Sequence, residues 1–304
     1  MPCYNPVNAW KTKRGTVVFR PAHGVTEAFR VPCGACVGCL IGRSRDWAVR
    51  CMHEASLHRD NCFITLTYAP EFLPEGGTLV KKHFVDFMKR FRKAVSVPLR
   101  YFHCGEYGDK LSRPHYHAII FGYTFPDQEV IDFDKKTGVI RTSKLLRSFW
   151  GMGHVTVGDC TWESCAYTAR YVLKKKFGAG ASKHYDQIDK STGEIIRRIP
   201  EYTTMSRRGG IGQVWFEQNI GDVFPSDEII MTGNKRFRVP RYYDKLYAKK
   251  LVGPDPLRCI KTCRKQSAEL RAADNSRGRL EVKREIKQSQ VNRLKRTLHD
   301  PETV

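Results

Sequence analysis

Between Lys81 and Val95 the apolar side chains Phe84, Phe87, Met88, Phe91 and Val95 recur at helical spacing while Lys and Arg fill the other face. That period predicts a helix with an aromatic stripe to bury against a sheet. β-Branched and aromatic runs predict strands at Phe63–Tyr68, Arg100–Tyr107, His115–Gly122 and His154–Val157, with a loop from Pro70 to Gly77. Further helices are predicted from Arg43 to about Leu57, over a short stretch ending near Trp150, and from Trp162 to Lys176. The order strand, helix, strand, strand, helix, strand, helix implies an α+β fold. Its expected form is one antiparallel sheet with helices packed mainly on one face, rather than a doubly wound sheet.

The pattern weakens at both ends. Residues 1–42 read as irregular and cysteine-bearing, 178–198 as an exposed insertion, and 199–250 as short strands around the glycine-rich turn Ser206-Arg207-Arg208-Gly209-Gly210-Ile211-Gly212. Beyond residue 250, Ala, Glu, Gln, Lys and Arg dominate, which predicts a solvated basic helix or partly disordered tail able to lie along phosphate. The expected division is therefore 1–60 (N-terminal region and helix), 61–250 (main domain) and 251–304 (basic tail).

Charge narrows the range of partners. With 53 Lys and Arg against 31 Asp and Glu in 304 residues, the formal net charge is +22. Such a surface gains free energy by neutralising a polyanion and releasing its counterions, so nucleic acid is the expected partner. No apolar run approaches the ~20 residues needed to span a bilayer, and Met1 to Arg14 carries no signal-peptide core. A cytoplasmic location and no membrane partner are expected, and most of the eleven cysteines should be reduced thiols. No glycine-rich phosphate loop supports an ATP-driven mechanism.

Three groups of residues carry candidate chemistry. His115 and His117 share one face of a strand about 6–7 Å apart, close enough to hold one metal ion. The short Asp109–Arg113 connection returns the chain so that Glu106 lies beside them, and two imidazoles with a carboxylate suit Mg²⁺ or Mn²⁺, although histidine also permits softer metals. Tyr167 and Tyr171 stand at i and i+4 on a helix, with Lys174 and Lys175 one turn on. A phenol is a poor nucleophile at its usual pKa near ~10, and nearby ammonium groups and a divalent cation would favour attack on phosphate. The alternative is that both tyrosines are packing residues. Cys33, Cys36 and Cys39 form C-x-x-C-x-x-C in a glycine-rich loop, which suggests a structural Zn²⁺ whose fourth ligand is Cys3, Cys51 or His53. The competing readings are an iron–sulfur cluster and free thiols capping a helix.

Together these features resemble rolling-circle replication initiators of the HUH endonuclease superfamily. The resemblance rests on the Phe63–Tyr68 strand, Glu106 followed by His115-Tyr116-His117, and Tyr167-x-x-x-Tyr171-x-x-Lys174-Lys175. Gly105-Glu106-Tyr107-Gly108, Arg113-Pro114-His115-Tyr116-His117, Pro32-Cys33-Gly34-x-Cys36-x-x-Cys39 and Met205-Ser206-Arg207-Arg208 look like the initiators of gokushovirus-like Microviridae, small single-stranded DNA phages. The matches span about residues 30–220. They imply an RNA-recognition-like antiparallel sheet, a catalytic cation on His115, His117 and Glu106, and Tyr167 and Tyr171 as nucleophiles, with Lys174 and Lys175 stabilising phosphate charge. They further imply nicking and rejoining of single-stranded or locally melted origin DNA inside an infected bacterium, in concert with the host replication machinery. One departure stands out: Tyr116 occupies a position where many members carry a large apolar residue. The rival readings are a two-tyrosine transposase or relaxase, which would recognise its own DNA ends, and a non-catalytic zinc-containing nucleic-acid-binding protein.

Overall fold

The computed structural model describes residues 3–21, 23–108, 111–134, 138–170, 181–188, 193–251 and 257–293. The chain divides into two compact units, one made of residues 1–43 with 253–296 and the other of residues 44–252 with 297–304. Among the described residues no helix is long and apolar enough to cross a membrane.

The first unit departs from the irregular region expected. Strands β1 (Val7–Thr12), β2 (Val17–Val18) and β3 (Val25–Val31) form an antiparallel sheet in the order β2-β1-β3. The strands are short and mostly solvated, with Ala9 the one buried position of β1, so they present little of the hydrophobic contrast from which strands are read. Helix α1 (Val37–Ala55) starts six residues earlier than expected, enclosing Cys39 in its first turn.

In the second unit, β4 (Asn61–Thr67) leads through two 3₁₀ turns into α2 (Lys81–Ala94). Next come β5 (Arg100–Tyr107), β6 (Pro114–Phe121), β7 (Gln128–Asp134), β8 (Gly138–Ser143), α3 (Lys144–Trp150), β9 (Val155–Asp159) and α4 (Trp162–Arg170). The expected exposed insertion contains α5 (Ala181–Tyr185) and the hairpin of β10 (Asp186–Ile188) and β11 (Ile195–Arg197), and β12 (Tyr202–Met205) follows. Strands β4, β5, β6 and β9 are those the sequence predicts and β12 lies in its short-strand zone, whereas β7, β8, β10 and β11 are not anticipated. The seven-stranded antiparallel sheet has the order β12-β5-β6-β4-β9-β8-β7.

The α+β class and the antiparallel sheet are as expected, but the helices cover both faces rather than mainly one. On the first face, Phe84, Phe87, Met88 and Phe91 of α2 pack with Leu146 and Trp150 of α3 on Ile64, Leu66, Tyr116, Ala118 and Ile120. Full burial of each such phenylalanine contributes about 2–3 kcal/mol over exposure. On the second face, Ala48, Cys51 and Ala55 of α1 and Cys165, Tyr167 and Ala169 of α4 meet Phe63, Phe102, Cys104, Ile119 and Phe121. Every residue of β6 is buried, the signature of a strand enclosed on two sides.

The rest of this unit is built from α6 (Gln213–Gln218), α7 (Ile220–Val223), β13 (Glu228–Met231), β14 (Lys235–Arg238) and α8 (Arg241–Lys250). The glycine-rich turn is fixed by buried Glu54 of α1, which accepts from the Gly212 amide (2.7 Å) and from Arg100. Arg100 in turn donates to the carbonyls of Arg208 (2.8 Å) and Gly209 (2.7 Å), leaving the Arg207 and Arg208 side chains exposed. The basic tail carries α9 (Arg258–Glu269) and α10 (Arg277–Arg293), which belong to the first unit.

Candidate active site

Register and pleat bring the predicted metal ligands together. Glu106 of β5 pairs directly with His115 of β6, and Cys104 with His117. On the opposite side of β6, Thr65 and Thr67 of β4 face His117 and His115. Alternation sends Glu106, His115 and His117 to the face shared with α1 and α4, and Tyr116 to the other.

Both imidazoles converge on one carboxylate oxygen. His115 Nε2 lies 2.8 Å and His117 Nε2 3.0 Å from Glu106 Oε1, and the candidate ligand atoms of the three residues all lie within 4.8 Å of one another. All three side chains are buried. Burial favours the neutral form of Glu106, but the two imidazoles outweigh it and hold the carboxyl at about 2. The outer nitrogens are also fixed. His115 Nδ1 donates to the carbonyl of Arg113 at 3.1 Å, which fixes the ring so that Nε2 is the nitrogen facing Glu106. His117 Nδ1 lies 2.9 Å from the Thr65 hydroxyl. Two imidazoles anchored through their outer nitrogens beside a carboxylate are the donor chemistry of a divalent-cation site, so the residues fit the cation that the sequence suggested.

α4 lays its tyrosine against this cluster. The Tyr167 ring packs edge-on to His117 with centroids 5.1 Å apart, and edge-on to Phe63 at 6.1 Å. Phe63 also stacks on His117 at 5.5 Å. Arg170, one turn beyond Tyr167, places its guanidinium carbon 6.0 Å from the phenol ring. The helix therefore delivers a phenol and a cation to the histidine face, on the same side of the sheet. Tyr171, Lys174 and Lys175 lie outside the described residues.

Sequence reading passed over Thr65, Phe63 and Arg170. The first two could have been found from the strand reading, since Thr65 and Phe63 alternate onto one face of β4. Arg170 was visible three residues after Tyr167 at a spacing that places the two on neighbouring helix positions.

The cysteines of the first unit also assemble. Cys33, Cys36 and Cys39 cluster with Cys3, not with Cys51 or His53. Cys51 is buried in the α1/α4 core, and the His53 ring stacks on Trp215 at 3.4 Å with Nδ1 2.9 Å from the Tyr243 hydroxyl.

Comparison with known proteins gives a consistent picture. The profile of the family described as "Replication-associated protein ORF2/G2P" matches residues 61–176. The chain is 31% identical over 269 residues to replication-associated protein ORF2 of Spiroplasma virus 4, covering 81% of this chain and 80% of that protein. It is 30% identical over 260 residues to replication-associated protein VP4 of Bdellovibrio phage phiMH2K, covering 82% and 78% of the two chains. With replication-associated protein ORF4 of Chlamydia phage 1 it shares 32% over 236 residues, which is 75% of this chain and 56% of that one. No solved structure matches it.

Proposed function

The chain belongs to the family of replication-associated phage proteins, and from that premise we propose that it is a replication initiator of the HUH endonuclease type. In this reading it nicks one DNA strand at the viral origin through a phosphotyrosine intermediate and later rejoins the ends. The observation that carries the reading is the phenol of Tyr167 packed on His117, beside the Glu106–His115–His117 cluster.

His115, His117 and Glu106 would hold Mg²⁺ or Mn²⁺, which supplies Lewis acidity at the scissile phosphate when bound. The rest of the chemistry falls to the chain. Tyr167 gives up its phenolic proton and its oxygen attacks phosphorus in line; the bond to the 3′-oxygen breaks, and that oxygen takes a proton to become a free 3′-OH. The 5′-phosphate stays esterified to the tyrosine. Reversal by an incoming 3′-OH reseals the strand without ATP, because the phosphodiester energy is kept in the protein–DNA bond. Arg170, whose guanidinium lies 6.0 Å from the phenol ring, offsets the phosphate's charge. Tyr171 is the second nucleophile in this scheme, flanked by Lys174 and Lys175, so that a regenerated origin is cut while the first tyrosine still holds DNA. The cluster and Tyr167 are buried, so the scheme requires α4 to shift as a single strand enters. The net charge of +22 supports capture of that strand at the origin, and the freed 3′-OH is the primer for the host replication machinery.

The test is covalent adduct formation on an origin oligonucleotide with Mn²⁺, comparing the native chain with Tyr167→Phe, Tyr171→Phe and the double variant. Adduct should disappear in the double variant and with excess EDTA. Adduct that persists in the double variant removes both tyrosines from the mechanism, and binding without cleavage under any divalent metal makes the chain a non-catalytic DNA-binding protein.

A further inference from the structure

The nicking chemistry leaves the cysteines of the first unit unused, and their placement is specific. Cys3 Sγ lies 3.5 Å from Cys33 Sγ and 3.8 Å from Cys36 Sγ. The four sulfurs of Cys3, Cys33, Cys36 and Cys39 all lie within 4.8 Å of one another. Disulfide sulfurs sit about 2.05 Å apart, so these pairs are not bonded to each other. A tetrahedral zinc centre with Zn–S of about 2.3 Å has sulfur–sulfur edges of about 3.8 Å, which is the spacing found here.

The backbone is arranged for thiolates. The amide of Cys33 donates to Cys3 Sγ (3.2 Å), that of Cys36 to Cys33 Sγ (3.3 Å) and that of Tyr4 to Cys36 Sγ (3.4 Å). Amide donors aimed at sulfur stabilise negative charge on it, and ligands so anchored are pre-oriented. Gly34 makes the turn that brings Cys33 and Cys36 together; its φ of +77° is a left-handed conformation that a side chain would strain. Cys39, on the first turn of α1, completes the set.

The unit buries little apolar surface of its own. Among its described residues the buried apolar side chains other than cysteine are Tyr4, Ala9, Leu40, Ile260 and Leu280, and none belongs to either of the two large core clusters. A region with so little apolar burial is of the kind that metal binding commonly stabilises.

We propose that Cys3, Cys33, Cys36 and Cys39 bind one structural Zn²⁺ that pins the residues before β1 to the β3–α1 junction. An all-thiolate tetrahedral set favours zinc over the hard cations suited to Glu106, His115 and His117, so the chain carries two metal sites of different chemistry. This assignment does not depend on the nicking reading.

Metal analysis of the full-length protein, expressed with supplemented zinc and freed of loosely held ions, should find about one zinc per chain. That zinc should remain in the His115→Ala/His117→Ala variant and fall to background in Cys3→Ser and Cys36→Ser. Should those serine variants fail to fold, the native chain decides: exchange of zinc for Co²⁺ should give the thiolate charge-transfer and tetrahedral ligand-field absorption of a four-sulfur site. Chelation should accelerate amide exchange in β1 and β3 roughly tenfold or more while β4 and β6 stay protected. No retained metal, stoichiometric iron instead of zinc, a cobalt spectrum without thiolate bands, or zinc lost with the histidines and kept without the cysteines would each overturn the assignment.

Discussion

Replacing Tyr116 by Phe removes one oxygen atom and three hydrogen bonds while keeping the ring. The hydroxyl donates to the carbonyl of Val80 (3.0 Å), accepts from the Val80 amide (3.0 Å) and meets the Tyr68 hydroxyl at 2.7 Å. Val80 is the N-cap of α2 and has no side-chain cap, so the phenol of β6 serves as that helix's cap from across the core. The ring itself packs on Phe84, His103 and Trp150, contacts that phenylalanine preserves, so no cavity term enters. Each hydrogen bond is worth about 0.5–1.5 kcal/mol net. Val80 is half-buried, and water recovers part of the loss at its amide, which sets the expected destabilisation at about 2 kcal/mol. For a domain of this size that corresponds to a drop in Tm of about 4–8 °C. Urea unfolding followed by tryptophan fluorescence, with an unchanged slope and a lower midpoint, is the measurement. A change under about 0.5 kcal/mol, within the range of ordinary surface substitutions, would show that the hydroxyl caps nothing. The same result would leave the tyrosine at this position without a structural reason.

Two other perturbations have calculable outcomes. Burial against Trp215 and Tyr243 pushes the His53 imidazole down to about 3, below its unfolded value. Its contribution is therefore complete at neutral pH and is lost as pH falls between about 6.5 and 3, by up to about 1.4 kcal/mol per pH unit; His53→Phe should flatten that part of the stability–pH curve, and an unchanged slope would contradict the assignment. Gly153 has φ +140°, and a Cβ there would sit 2.3 Å from the Ala69 nitrogen and 2.5 Å from the Thr67 oxygen. Since backbone cannot yield as a side chain can, Gly153→Ala should cost roughly 2–5 kcal/mol, seen as a lowered thermal midpoint, and near-native stability would refute the close approach.

The sequence was most legible where period and burial coincide. The aromatic stripe of α2 and the span of β5 follow directly from residue spacing, as does the return of Glu106 to His115 across a short hairpin. The two-sided sheet was harder to see. His115 and His117 stand among buried apolar neighbours on their own face, Ile119 and Phe121, so the all-apolar continuation of β6 was itself the clue that helices lie on both sides. The first-unit strands escaped because their side chains are mostly solvated, and β7 because exposed Val130, Ile131 and Phe133 interrupt any alternation. For the cysteines, spacing alone could not choose among Cys3, Cys51 and His53; the choice depends on which chain segment crosses the loop, a tertiary fact.

Strand β6 has β5 on one side and β4 on the other, with packed helices above and below. The amides of His115 and His117 therefore reach solvent only by rupture of the sheet's interior, which places them among the slowest-exchanging in the molecule. Two imidazoles mounted there keep their aim through thermal fluctuation. Sequence change is absorbed instead at peripheral segments such as the exposed arginines of the 206–212 turn, where it leaves this interior undisturbed.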